Sequence, residues 1–393
     1  MYASAGTSPL TQPDIVIVGG GVMGLSIAHQ LASQGARPLL LEARALGAGS
    51  TGRSGAILRQ HYSHELTARM ARDSLVQYAA FEDFCGGSAG FVRTGMALVA
   101  RAADREGLRQ NLTLQQNLGI RTDELDPQGL IEAVPGLTAP DDVVGCYEPD
   151  AGYADPMRTV ASLAAAVRRL GGEIREGSPV AEIVHDSAVR GVRLADGSSV
   201  EADRVVVAAG PWAQRVMATV GWETGVEPRR VECAVLRRPG EMWAGPVIID
   251  FVHEFYAKHA DTTHVGSILP HEALRADPDD FDEGVSGAYV RLAHGRAARR
   301  LPPLERATRF GGYGALYAVT PDWHPVIGPA GPQGLYLCAG FSGHGFKLAP
   351  SIGRSVAGEL LGTGSPYDLG PLRPDRFQRG LPFTGRYAYS ILG

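Results

Sequence analysis

The sequence predicts an α/β protein in which a Rossmann-like dinucleotide-binding domain carries an inserted α+β domain of mixed antiparallel sheet and helices. Three observations lead to that class. A β-rich apolar run, Asp14 to Val18, passes directly into a glycine turn and a helical pattern. Further strand and helix blocks stand mid-chain and near the C-terminus. Between the blocks lie two less regular stretches, the pattern that insertions into one nucleotide-binding unit would leave.

Asp14 to Val18 reads as a central parallel strand, because an unbroken apolar run suits a strand buried on both faces. Val22 to Ser33 repeats apolar residues at helical spacing (Val22, Leu25, Ala28, Leu31), and Gly35 stops it. Arg37 to Leu41 is a second strand ending on Glu42, which completes a βαβ unit. Pro156 to Leu170 is an amphipathic helix closed by Gly171-Gly172. Strands follow at Ile183-Val184 and Gly191 to Leu194, and the Asp196-Gly197 turn leads into Ser199 to Val207. Gly334 to Leu361 repeats strand, glycine turn and helix. These patterns place the nucleotide-binding domain in 13–85, 146–220 and 310–365, and the substrate domain in 86–145 and 221–309. A flexible tail, 1–12, and a C-terminal extension, 366–393, complete the chain.

The formal net charge, 37 − 42 = −5, argues against nucleic acid as a partner. No apolar run reaches the roughly 18 residues of a membrane-spanning helix, and Met1 to Gln12 lacks the basic start and apolar stretch of a signal peptide. Cys85, Cys146, Cys233 and Cys338 are far apart with no CxxC pairing, which disfavours zinc ribbons and disulfide frameworks and points to a reducing cytoplasm. No metal site is expected.

Gly19-x-Gly21-x-x-Gly24 carries the first chemistry. Gly19 permits the tight turn, Gly21 lets backbone approach a pyrophosphate, and Gly24 lets the helix pack closely on the sheet. The phosphates then sit on the first-turn amides around Val22 and Met23. Glu42, followed by Ala43, is placed for the ribose hydroxyls. The next segment, Leu46 to Ser54 (LGAGSTGRS), is rich in small and hydroxyl residues. Its Gly49, Ser50, Thr51, Arg53 and Ser54 can wrap phosphates and a ribityl chain from the opposite side, which points to FAD in preference to a nicotinamide dinucleotide.

These motifs, with the central AAGPWA (Ala208 to Ala213), Gly152 to Pro156 and the C-terminal GFSGHGFKLAP (Gly340 to Pro350), resemble the D-amino-acid oxidase superfamily of FAD-dependent oxidoreductases. The resemblance covers nearly the whole chain and is strongest toward the sarcosine oxidase, proline dehydrogenase β-subunit and glycine oxidase branch. It implies a Rossmann-like FAD-binding domain in which Val180 meets the adenine through its backbone and Ala209, Gly210 and Trp212 lie near the dinucleotide. Gly314, Gly340, Ser342, Gly343, His344, Gly345, Phe346 and Lys347 would lie around the flavin. Arg59 and Lys347 would clamp a substrate carboxylate, a role a guanidinium suits because it engages both oxygens. Tyr317 and Tyr256 would wall the pocket, and His344 would place a positive or hydrogen-bonding group beside the ring. His264 falls near the oxygen-activating position, where monomeric sarcosine oxidases carry Lys.

Two departures bear on the cofactor. Ala315 stands where monomeric sarcosine oxidases attach flavin to a Cys, and Arg53 where dimethylglycine-type dehydrogenases attach it to a His. Non-covalent FAD is therefore expected. The implied reaction is oxidation of the C–N bond of a small carboxylate-bearing amine (sarcosine-, glycine- or proline-like) to an imine. Hydride would pass to flavin N5, with reoxidation by oxygen or another acceptor. The alternatives are a 2-hydroxy-acid oxidoreductase with His61, His264 or His344 as base, and a flavin subunit active only within a hetero-oligomer. A nicotinamide enzyme is a further one.

Overall fold

The computed structural model describes residues 13–240, 245–269 and 272–384. The expected tail, 1–12, and the last part of the extension, 385–393, lie outside them. Its first sheet has six strands in the order Val326–Pro329, Leu335–Ala339, Val205–Val207, Ile15–Val18, Pro38–Leu41, Glu173–Arg175. All neighbours run parallel except the first two.

Alternation explains the unbroken apolar strands. Ile15, Ile17, Leu40 and Val206 pack in the same apolar cluster as the helices Val22–Ser33, Pro156–Arg169 and Gly345–Leu361. Val16, Val18, Leu39, Val205 and Val207 pack the other way, on the ribbon Val180–His185, Val189–Leu194, Ser199–Glu201 and the helix Ala213–Ala218. Both faces are covered, so neither position class tolerates polarity. The helix Pro156–Arg169 is well terminated: Asp155 accepts from the Met157 and Arg158 amides at 2.9 Å, Pro156 follows it, and Arg168 and Arg169 occupy the last turn.

The second sheet has nine strands. Eight follow the order Leu274–Arg275, Glu227–Arg237, Thr263–Ser267, Phe255–His259, Val247–Asp250, Met96–Arg101, Val143–Glu148, Asp123–Leu125. The ninth, Thr308–Val319, pairs antiparallel with Glu227–Arg237 from Thr308 opposite Arg237 to Val319 opposite Glu227. Residues 310–319, assigned from the sequence to the nucleotide-binding segment, thus lie in the nine-stranded sheet. Val143–Glu148 likewise runs unbroken through the boundary expected at 146. The reason is physical: a strand's sheet is set by its partner in space, and neither segment's own pattern names that partner.

The helix Gly287–Arg300 covers one face of this sheet. It is pinned by a buried ion pair, Arg300 to Asp250 at 2.5 Å, and Asp250 also accepts from the Val252 and His253 amides at 2.8 Å. Among the described residues no helix is long and apolar enough to cross a membrane. Replacing Arg300 with Met leaves the Asp250 charge buried and unpaired. Urea unfolding of R300M is expected to show a loss of about 3–5 kcal/mol.

Candidate active site

A cavity of about 760 Å³ opens where the parallel strands end at Val18, Leu41 and Ala208, and residues of the second sheet close it from the other side. This is the crevice at the carboxyl ends of parallel strands where open α/β sheets bind ligands.

At one end lies the glycine turn. A Cβ on Gly24 would stand 2.0 Å from the Gly19 carbonyl oxygen, so the helix Val22–Ser33 rests directly on the turn. Its N-cap, Gly21, has no side chain to cap it, and its first turn carries no acid. The positive end of the helix therefore faces the cavity without an acid in its first turn, where Gly19, Gly21, Val22 and Met23 line the wall. Thr51 Oγ1 accepts from the Val22 amide at 3.1 Å. Glu42 accepts from the Gly20 amide at 2.6 Å and the Arg44 amide at 2.9 Å, which fixes its carboxylate at the end of its strand. Ala43, Gly49, Ser50, Thr51, Arg53, Ser54, Val180, Ala209, Gly210 and Trp212 complete this end. Ser50 Oγ is buried without a hydrogen-bond partner, and Arg53 is paired with Glu283 at 2.7 Å.

At the other end the helix Gly345–Leu361 begins, with Ser342, Gly343, Gly345, Phe346 and Lys347 on the wall. Gly343 adopts φ +89°, and a Cβ there would stand 3.0 Å from the Tyr317 ring. Arg59 joins Lys347 on the wall. Both are buried, at 4% and 8% exposure. Arg59 donates to the His61 carbonyl and lies 4.4 Å over the Tyr62 ring. Neither has an ion-pair partner among the described residues. Burial, and next the Arg59 charge, hold the Lys347 ammonium well below its ordinary range. Lys258 and Lys347 are the sole lysines of a sequence with 37 Lys and Arg residues, and both are buried.

The second sheet supplies an aromatic wall. Tyr313, Ala315 and Tyr317 alternate along Thr308–Val319 and line the cavity with Tyr256 and Cys233. Burial pushes Tyr317 up to about 12 and Cys233 up to about 11, so both keep their protons.

Several expected site residues stand elsewhere. His344 is buried behind the wall, with Nδ1 2.9 Å from the Tyr62 hydroxyl; burial, then Lys347 and Arg59, push it far below the ordinary histidine range, so it brings no positive charge. His264 lies off the cavity wall beside Tyr313 and opposite Lys258. Burial and then Lys258 lower it to about 4, which makes it neutral too. Gly314 and Gly340 are packing positions off the lining, Gly314 abutting the Asp282 carbonyl and Gly340 the Thr320 side chain, while Gly24 holds the close helix packing expected of it. Arg44, Arg215, Cys233, Ile249, Ile268 and Tyr313 also line the cavity, beyond the residues expected from the sequence. Tyr313 follows from the two-residue period through Ala315 and Tyr317, and Arg44 and Arg215 stand just beyond Ala43 and Trp212; Cys233, Ile249 and Ile268 reach the cavity through pairings distant in sequence.

The family profile described as "DAO: FAD dependent oxidoreductase" matches residues 14–359. The chain belongs to this family of FAD-dependent oxidoreductases. It is 28% identical to 4-methylaminobutanoate oxidase (formaldehyde-forming) of Paenarthrobacter nicotinovorans, over 96% of this chain and 47% of that protein. It is 27% identical to glycine oxidase of Geobacillus kaustophilus, over 91% and 95%. The chain thus spans about half of the first relative and nearly all of the second. Among solved structures it resembles L-proline dehydrogenase from P. horikoshii, with a TM-score of 0.87 at 25% identity over 95% and 99% of the two chains.

The residues present fit FAD. The acid-free helix end suits a pyrophosphate, Gly21 brings backbone to the wall, and the Ser50 hydroxyl is buried without a hydrogen-bond partner. Gly24→Ala is expected to lift the helix from the turn, because its Cβ has no room beside Gly19. Flavin-fluorescence titration of the apoprotein should then show at least tenfold weaker FAD binding, about 1.4 kcal/mol.

Proposed function

We propose that the chain oxidises the C–N bond of a small carboxylate-bearing amine, sarcosine-, glycine- or proline-like, to an imine, with FAD held non-covalently. One observation carries the reading: Arg59 and Lys347, both buried on the cavity wall, form no ion pair among the described residues, and the Glu148 carboxyl is the one acid whose charge reaches Arg59. A buried charge without a counter-charge is costly, and a substrate carboxylate offsets that cost. The relatives named for 4-methylaminobutanoate and glycine support the same class at low identity.

Bound FAD supplies the hydride acceptor. The chain's own residues do the rest. Arg59 and Lys347 hold the carboxylate, which fixes the position of the carbon next to nitrogen and removes much of the entropic barrier. Tyr256, Tyr313 and Tyr317 exclude water from the amine and keep their protons at neutral pH, as burial raises all three. An amine that binds unprotonated requires no base. A 2-hydroxy acid does require one, and the geometry disfavours it: His61 is held at about 3, His344 is strongly depressed, and neither lines the cavity. Electrons leave to oxygen or another acceptor, in this chain alone or within a hetero-oligomer. Ala315 and the ion-paired Arg53 offer no attachment atom at the positions where relatives of this kind would bond flavin.

Anaerobic mixing should bleach the flavin with at least one of sarcosine, glycine, proline or a D-amino acid. Bleaching by lactate or glycolate and by no amine would overturn the reading. Lys347→Met should weaken carboxylate binding by about 2–3 kcal/mol, roughly 30- to 150-fold, in a titration of the flavin spectrum. Acid precipitation should leave the flavin in the supernatant; flavin retained on the pellet contradicts non-covalent binding.

A further inference from the structure

Behind Arg59 lies a carboxyl group that the proposed reaction does not use. Glu148 ends the strand Val143–Glu148 and is fully buried. One of its oxygens accepts from the Gln60 amide at 2.8 Å, and the His61 amide also bonds the carboxylate. Its other oxygen has no hydrogen-bond partner among the described residues. The segment it grips is the one that presents Arg59, whose guanidinium folds back onto the His61 carbonyl and the Tyr62 ring. Glu148 thus ties the loop to the second sheet and places a negative charge near the otherwise unpaired guanidinium.

We propose that Glu148 is the positioning residue of the carboxylate site: it fixes Arg59 through the Gln60 and His61 amides, and it takes up a proton when a ligand carboxylate binds Arg59. The inference rests on the carboxylate reading of the cavity. Burial drives Glu148 up to about 7, against the lowering pull of its amide bonds and of Arg59. A bound carboxylate cancels the Arg59 contribution, so the proton becomes more tightly held. The other groups facing Glu148 do not replace this response. Cys146, on its own strand, and Tyr62 keep their protons through burial, and His61 is held neutral at about 3. Asp150, beyond the strand, is paired with Arg121 and stays ionised. Lys347, which the Arg59 charge also lowers, titrates upward when an anion binds, so proton counts alone do not isolate Glu148.

The test uses the FAD-loaded enzyme at pH 7.5 and propionate labelled at its carboxyl carbon, which has no amine to oxidise. Flavin absorbance reports binding, and infrared difference spectra report carboxyl protonation. The proposal expects a protonated-carboxyl C=O stretch to appear on binding, unshifted by the label, and to vanish in Glu148→Gln. In a Lys347→Met background the propionate dissociation constant should rise by up to about tenfold per pH unit above 7, and a second Glu148→Gln change should flatten it. Binding with no such stretch in the wild type overturns the inference, whether or not E148Q folds. Failure of propionate to bind at all refutes the carboxylate site itself.

Discussion

Two basic side chains, Arg59 and Lys347, share one buried wall. Burial and then the Arg59 charge disfavour the Lys347 ammonium, burial disfavours the Arg59 charge, and neither forms an ion pair among the described residues. A fold keeps such an arrangement only if the surroundings hold it rigidly, since either side chain would otherwise swing toward water or an acid. The rest of the architecture supplies that rigidity. Arg59 is folded onto its own loop and backed by Glu148, while Lys347 sits in the first turn of a helix packed against the nucleotide-binding sheet.

The same helix links the two functions of the cavity. Its uncapped N-terminus, free of acidic residues in the first turn, adds positive potential at the end of the cavity where Lys347 stands. The helix Val22–Ser33 does likewise at the opposite end, on the glycine turn. One crevice thus has a helix N-terminus at each end, Arg59 and Lys347 on its wall and the tyrosines of the second sheet on the opposite side, which is what the proposed function draws on.

What could be read in the sequence follows from distance along the chain. Gly19 to Glu42 is a local unit, so its strand, turn, helix and acid announce one another within thirty residues or so. The glycine turn before Lys347 is local in the same way. The misplacements all involve partners far apart. His264 looked like a site residue, but a strand's alternation and pairing decide which face a side chain takes, and here they set it beside Lys258, off the wall. Tyr317 lies on the wall as expected, but its strand, expected in the nucleotide-binding segment, belongs to the inserted sheet because Glu227–Arg237 pairs with it. Glu148 left no signal at all, since its meaning lies in amides eighty-eight residues earlier.

On the proposed function, the acid group and not the amine is what the protein recognises. Anaerobic flavin reduction by proline and by pyrrolidine, which lacks the carboxylate, tests it most directly, with sarcosine and dimethylamine as a second pair. The account predicts that the reactive acid of each pair reduces the flavin at least a hundredfold more efficiently than its decarboxylated partner, a margin of about 2.7 kcal/mol, and that Lys347→Met narrows the gap. Equal rates for acid and amine would contradict it.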